Sequence, residues 1–285
     1  MTEIEVISPG FYSTIQDMGR TGFAQYGVPR SGCMDLFSAK KANLLVNNDS
    51  NAAVLEITMT GPTLAFKGES CFAISGAEFD LRLNGEEIEN DRAYNVSEGD
   101  QLTCKALKSG FRAYLAISGG FRTMERLGSR SMYEGITDEV RIKKGDKLPI
   151  PEKPKGKQNK GATVNFEDNG IFKNEINVYE GPEFHLLNSN QKDLLFKNPF
   201  TVSQSSNRMA IKLEEVFQNN LTGIITGPVV PGTVQLTPGG SLIVLMRDCQ
   251  VTGGYPRIIQ LDELGICTLS QKRPGDSVLF KLLTP

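Results

Sequence analysis

Three polar stretches of this chain, and a fourth that follows the Gly119-Gly120 turn, place reactive side chains on loops. Residues 13–35 place Gln16, Asp17, Arg20, Arg30, Ser31 and Asp35 among Gly19, Gly22, Gly27, Pro29 and Gly32. That composition cannot fill a core and reads as an ordered loop, with Phe11, Tyr12, Ile15, Phe23, Tyr26 and Val28 as apolar anchors. Residues 201–209 offer Ser203, Ser205, Ser206, Asn207 and Arg208. Residues 247–255 offer Arg247, Asp248, Gln250, Thr252, Gly253, Gly254 and Tyr255 directly after an apolar run, so these groups should emerge at a strand end over a core. Residues 127–131, Leu-Gly-Ser-Arg-Ser, add Arg130. Arginine recognises carboxylate or phosphate bidentately. The amides of Gly253 and Gly254 suit an oxyanion, and Asp248 suits a general base or the orientation of a nucleophile. Each of these groups also has an ordinary reading, in which arginines and acids pair to hold loops.

Absences narrow the chemistry. His185 is the single histidine, so a Ser-His-Asp triad or a multi-histidine metal site is not expected, and no metal is expected in this chain. No G-x-x-x-x-G-K-[ST] loop and no G-x-G-x-x-G occurs. No lysine neighbours a methionine, which removes the setting of a biotin-carrier lysine. Five scattered cysteines without a C-x-x-C pair indicate neither zinc nor a disulfide framework. The net charge of −2 shows no basic face for nucleic acid, and no apolar run approaches the roughly 20 residues of a membrane helix. An acidic start, MTEIEVISPG, is unlike a signal peptide, so a cytoplasmic location is expected.

The elements that must position these loops read mainly as strands. Residues 3–7 alternate as a first strand, and residues 35–46 read as a helix with Ser31 as a candidate cap. Short strands are expected at 53–59, 63–66, 71–75, 79–83, 101–105 and 112–117, with Asn84-Gly85 as the clearest hairpin signal. Residues 176–180 open a new strand, followed by a helical region at 183–196. The predicted organisation is an N-terminal β-rich lobe at 1–150, a lysine- and proline-rich linker at 151–162 and a C-terminal β-rich lobe at 163–285. Ordered echoes suggest that the lobes are related. Ser31-Gly-Cys-Met34 matches Ser206-Asn-Arg-Met209, Thr-Gly61-Pro62 matches Thr-Gly227-Pro228, the strand at 71–75 matches 242–246, and Gly99-Asp100 matches Gly275-Asp276.

Taken together, Thr14-Ile-Gln-Asp-Met-Gly-Arg20, Gly27-Val-Pro-Arg-Ser-Gly-Cys-Met-Asp35, Glu56-Ile-Thr, Leu127-Gly-Ser-Arg130, Ser206-Asn-Arg-Met209, Val230-Pro-Gly-Thr-Val-Gln235 and Thr252-Gly-Gly-Tyr-Pro256 resemble the motifs of the allophanate hydrolase subunit 2 family. That family includes the carboxyltransferase part of urea carboxylase, the C subunit of bacterial 5-oxoprolinase, and the antagonist of the sporulation kinase inhibitor. The resemblance, over about residues 4–282, implies a mainly β fold of cyclophilin-like barrel architecture in two related lobes. It implies partners like the B and A subunits of 5-oxoprolinase, and a hetero-oligomer active only as a complex. It also implies ATP-dependent opening of 5-oxoproline to glutamate, with ATP used by the complex. Two alternatives come with it: a carboxyltransferase using biotin carried on another chain, and a non-catalytic antagonist of a histidine-kinase inhibitor. The family's motifs also bring Gln235 into the substrate-binding set. For a carboxylate-bearing lactam, Arg20 or Arg208 suits the carboxylate, Gln16 or Gln250 the ring amide, and Asp248 or Asp17 the base. On this reading Asp248→Asn abolishes activity and leaves the melting temperature unchanged. Cys249 and residues 132–136 depart from the family pattern, standing where many members have an arginine and a glycine-rich run.

Overall fold

The computed structural model describes residues 2–152 and 172–283. They divide into two compact units, the first drawn from residues 2–20 and 31–152, the second from residues 21–30 and 172–283. Most of the lysine- and proline-rich stretch expected as a linker lies outside the described residues. No described helix is long and apolar enough to cross a membrane.

In the first unit the strands are β1 (Thr2–Ser8), β2 (Tyr12–Gln16), β3 (Val54–Thr58), β4 (Thr63–Phe66), β5 (Ser70–Leu83), β6 (Glu86–Ile88), β7 (Ala93–Val96), β8 (Gln101–Ile117) and β9 (Lys147–Ile150). They form one curled, largely barrel-like sheet in the order β2-β3-β8-β4-β1-β9, with β5 paired on β6, β7 and β8. The inner face is apolar, with Ile4, Leu55, Leu64, Phe66, Phe72 and Leu115 at or near zero exposure. Strands predicted separately at 71–75 and 79–83 are one 14-residue strand, and 101–105 and 112–117 belong to one 17-residue strand. The long β5–β8 pair slips register three times between Gly76 and Leu81, which hides its continuity in the sequence. Asn84 and Gly85, at φ 54° and 88°, make the expected tight turn between β5 and β6.

β2 runs inside the stretch read as loop. It escaped notice because the residues it buries include Ser13, Thr14 and Gln16, so no apolar alternation marks it. Helix α1 (Leu36–Leu45) follows the loop, and its cap is Asp35 rather than Ser31. Asp35 Oδ1 accepts from Ser38 N at 3.0 Å, a cap worth about 1 kcal/mol.

The second unit holds β10 (Glu175–Glu180), α2 (Ser189–Lys197), β11 (Phe200–Thr201), β12 (Ala210–Val216), β13 (Gly227–Pro228), β14 (Thr233–Leu236), β15 (Ser241–Leu245), β16 (Thr252–Gly253), β17 (Arg257–Leu261), α3 (Glu263–Ser270) and β18 (Ser277–Leu282). Seven strands make a second sheet, β11-β18-β10-β17-β14-β15-β12, and β13 pairs with β16 as a separate ribbon. The helical region expected at 183–196 is a single 3-10 turn at Phe184–Leu186 followed by α2, whose Asn188 and Gln191 form a capping box.

The echoes divide. Gly99-Asp100 and Gly275-Asp276 build the same turn, in which the aspartate Oδ2 accepts a backbone N–H three residues earlier, from Ser97 at 2.8 Å and from Arg273 at 2.7 Å. Gly145-Asp146 repeats it with Lys143 at 2.7 Å. The Ser31 and Ser206 echo does not carry over into secondary structure, because the first leads into helix α1 and the second into strand β12.

Candidate functional site

In the first unit the predicted residues converge on one strap, residues 129–132. Asp17 leaves the end of β2 and accepts four hydrogen bonds through its carboxylate: from Gly19 N at 2.8 Å, Ser129 Oγ at 2.6 Å, Ser131 Oγ at 2.7 Å and Arg130 N at 2.6 Å. Its own N–H donates to Ser131 Oγ at 3.1 Å. A carboxylate offers about four lone-pair positions, so Asp17 is engaged as a buckle for the strap. Gln16 Nε2 donates to Met132 O at 3.2 Å, and Arg20 Nη2 donates to Ser131 O. Arg130 turns its guanidinium to Thr123 O and stands 3.4 Å from Glu125.

The second limb of the loop is set as firmly. Gly32 (φ 93°) passes so close to residues 17–19 that a Cβ would sit 2.9 Å from Gly19 N and 3.0 Å from Asp17 O. Successive amides are then taken up by buried polar groups: Cys33 N donates to Asp17 O at 2.9 Å, Met34 N to Glu56 Oε2 at 2.7 Å and Asp35 N to Tyr114 Oη at 2.7 Å. Burial, with Glu56 and Asp35 beside it, pushes the Tyr114 hydroxyl well above the usual tyrosine range. Asp35 Oδ2 accepts from Ser38 Oγ at 2.6 Å, which places Asp35 in the helix cap. Ser31 is buried at φ 56°, and its Oγ has no hydrogen-bond partner among the described residues.

Beside the buckle lies a polar cavity of about 520 Å³, lined by Asp17, Asn47, Asp49, Asn51, Arg122 and Arg130 together with the Gly119-Gly120 turn. A smaller cavity of about 250 Å³ is lined by Arg126, Asp138 and Lys147, and Arg130 lines both. Of these lining residues the sequence nominated Asp17 and Arg130, each in a separate stretch, and none of the others. Asn47-Asn48-Asp49, just past the end of α1, and Gly119-Gly120, just past β8, are local turn signals, and both border the cavity.

In the second unit Arg208 and Asp248 form a buried two-point fork, Nε to Oδ2 at 2.8 Å and Nη2 to Oδ1 at 3.1 Å. Asp248 N also donates to Arg208 O at 3.0 Å. Arg247, fully buried, pairs with Glu263 at the start of α3. Asn207 Oδ1 accepts from Met209 N and Ala210 N and so shapes the turn into β12, while Ser206 Oγ is buried without a hydrogen-bond partner among the described residues. Gln235 is buried against the ribbon: its Nε2 donates to Tyr255 O at 3.4 Å and lies 2.4 Å from where a Cβ on Gly253 would stand. Gly253 pairs with Gly227 across the ribbon, and Gly254 O accepts from Ile224 N. Gln250, Thr252 and Tyr255 are exposed. Burial, with Asp248 adding to it, pushes the Cys249 thiol up to about 12, so it is inert at neutral pH. The described residues contain no cluster of three metal-ligating side chains.

The model of the carboxyltransferase domain, subdomain A and B, matches residues 26–282. This chain belongs to the carboxyltransferase domain family. It is 34% identical to the C subunit of 5-oxoprolinase from Escherichia coli (strain K12), over 97% of this chain and 90% of that one. It superposes on the crystal structure of the Kluyveromyces lactis urea carboxylase with a TM-score of 0.87 at 29% identity, covering 99% of this chain and 27% of that one. On the crystal structure of TTHA0988 the TM-score is 0.85 at 27% identity, and this chain spans 56% of that longer chain. The carboxyltransferase-domain fold is thus the mainly β architecture expected from the sequence.

Proposed function

We propose that this chain is the C-type subunit of an ATP-dependent 5-oxoprolinase, acting with the A and B subunits to open 5-oxoproline to glutamate. The observation that carries the reading is similarity: the chain is 34% identical to the E. coli C subunit over 97% of its residues, against 29% to the K. lactis urea carboxylase. Opening an unstrained lactam needs an activated carbonyl, and ATP supplies that activation in the complex. In this reading Asp17 positions the strap and Asp248 positions Arg208. Gln250, Thr252 and Tyr255, exposed around the buried Gln235, are the groups open to a ligand. Co-expression with the A and B subunits, followed by a glutamate-release assay, tests the proposal. Turnover should need all three chains. Robust release by the purified chain alone, or none from the full set, overturns it.

The match to urea carboxylase supports a second reading, transfer of a carboxyl group from biotin held on another chain. A biotinylated carrier that restores carboxylation of an acceptor in the presence of this chain, with no glutamate release by the three-chain set, would favour that reading.

A further inference from the structure

We infer that the 520 Å³ cavity of the first unit is a binding site for a zwitterionic α-amino acid. Five charged residues line it: Asp17, Asp49, Arg122, Glu125 and Arg130. Three are already committed. The Asp17 carboxylate carries four donors from the Gly19 amide and the strap. Arg130 and Glu125 pair with each other at 3.4 Å, and Arg130 also donates to Thr123 O. That leaves one cation and one anion. Arg122 is tied down only through its backbone, N to Pro149 O at 2.8 Å, and its guanidinium has no partner among the described residues. Asp49 accepts Asn51 N at 3.0 Å through Oδ1, and its Oδ2 has no partner among the described residues. The side-chain amides of Asn47 and Asn51 supply further donors and acceptors on the wall.

One guanidinium and one carboxylate oxygen without partners among the described residues match a ligand bearing one carboxylate and one ammonium. A bare dicarboxylate would leave Asp49 facing a second anion. A nucleotide or other polyphosphate would meet three acids against two arginines, a balance that repels it. A lactam such as 5-oxoproline has no cation to offer Asp49.

The cavity is pre-formed, which keeps the ordering cost of binding low. Asn48 fixes its floor, donating to Asn43 Oδ1 at 2.9 Å and Ile117 O at 2.7 Å and accepting from Gly119 N at 2.6 Å. Asn43 in turn donates to Ala52 O at 2.8 Å. A side chain on Gly120 would stand 3.0 Å from Ala52 Cβ, and one on Gly119 2.7 Å from Pro151, so the wall holds its shape by close packing.

Isothermal titration calorimetry on the purified chain tests the assignment without any turnover, so its outcome is separate from that of the 5-oxoprolinase reading. The probes are L-glutamate, L-alanine and glutarate, with Arg122→Gln and Asp49→Asn as variants. Both positions are exposed, so melting temperatures should stay at the wild-type value. The expected result is saturable binding of at least one amino acid, glutarate at least tenfold weaker, and a tenfold or greater loss in each variant. No binding of either amino acid, glutarate binding as tightly as glutamate, or amino-acid affinity unchanged in both variants overturns the proposal.

Discussion

Two aspartates that the sequence nominates for the same task are held in opposite ways. Asp17 in the first unit is surrounded by neutral donors, two hydroxyls and two backbone amides, and fastens one loop to another. Asp248 in the second unit is locked to a guanidinium, with both oxygens in the Arg208 fork and both side chains about nine-tenths buried. Removing an acid of the first kind loses hydrogen bonds. Removing one of the second kind strips a buried cation of its counter-charge, which is the more costly event.

The largest effect is therefore expected at the fork. Asp248→Asn should destabilise the chain by about 3–5 kcal/mol in urea unfolding followed by circular dichroism. This departs from the unchanged melting temperature that follows from treating Asp248 as a base alone. The double variant Asp248→Asn with Arg208→Met should recover a large part of the loss. A single variant as stable as the wild type would show the fork to be dispensable and return Asp248 to the role of base.

The buckle should respond less. Asp17→Asn leaves one acceptor oxygen where two served four donors, and a loss of about 1–3 kcal/mol is expected. Hydrogen exchange should accelerate at the Arg130 amide while the β5–β8 ladder keeps its protection. Equal acceleration in both places would mean that Asp17 supports the whole sheet rather than the strap.

A third fork extends the comparison to pH. Glu183 is bound by Arg257 through two side-chain contacts at 2.8–2.9 Å, and Arg257, chiefly through these hydrogen bonds, holds its carboxyl below the usual glutamate range. A depressed folded-state value means that the stabilisation is present above about 4.5, the ordinary glutamate value, and fades as pH falls through the lower value. Unfolding free energy should drop across that acid window in the wild type, and Glu183→Gln should flatten the drop. A slope unchanged by the substitution would place the acid sensitivity elsewhere.

The smallest effect belongs to surface pairs such as Lys143–Glu139, both half exposed. Lys143→Ala should change stability by less than about 0.5 kcal/mol, and by less still at high salt.

These contrasts mark what the sequence makes legible. Strand β4 and helix α1 lie where they were expected, but the cap of α1 is Asp35 rather than Ser31 and its buried face mixes Leu36, Ala39 and Ala42 with Ser38 and Asn43. The Asn84-Gly85 turn needs left-handed backbone and names itself. β2 was hidden because it buries serine, threonine and glutamine, and the polar pattern becomes sensible only with Met132 and the strap in view. The fork joins residues 40 apart and the buckle residues 112–114 apart, distances at which no local pattern pairs an acid with its donors. The sequence nominates Arg208, Asp248 and Asp17, but only the fold shows what each holds. Arg122 and Asp49 carry no motif at all, and they are brought to one cavity by the turns after α1 and β8.

The pairing of β1 has a consequence for how the chain is made. β1 lies between β4, about sixty residues later, and β9, whose residues 147–150 lie at the far end of the first unit. Until β9 emerges, one side of β1 is an open edge displaying unsatisfied N–H and C=O groups, and it invites pairing with another chain. Chains truncated before Lys147 should therefore aggregate through their own N-terminal strand, whereas chains extending past Ile150 close that edge internally. A pause in synthesis anywhere between Phe66 and Lys147 would leave the nascent chain in its stickiest state.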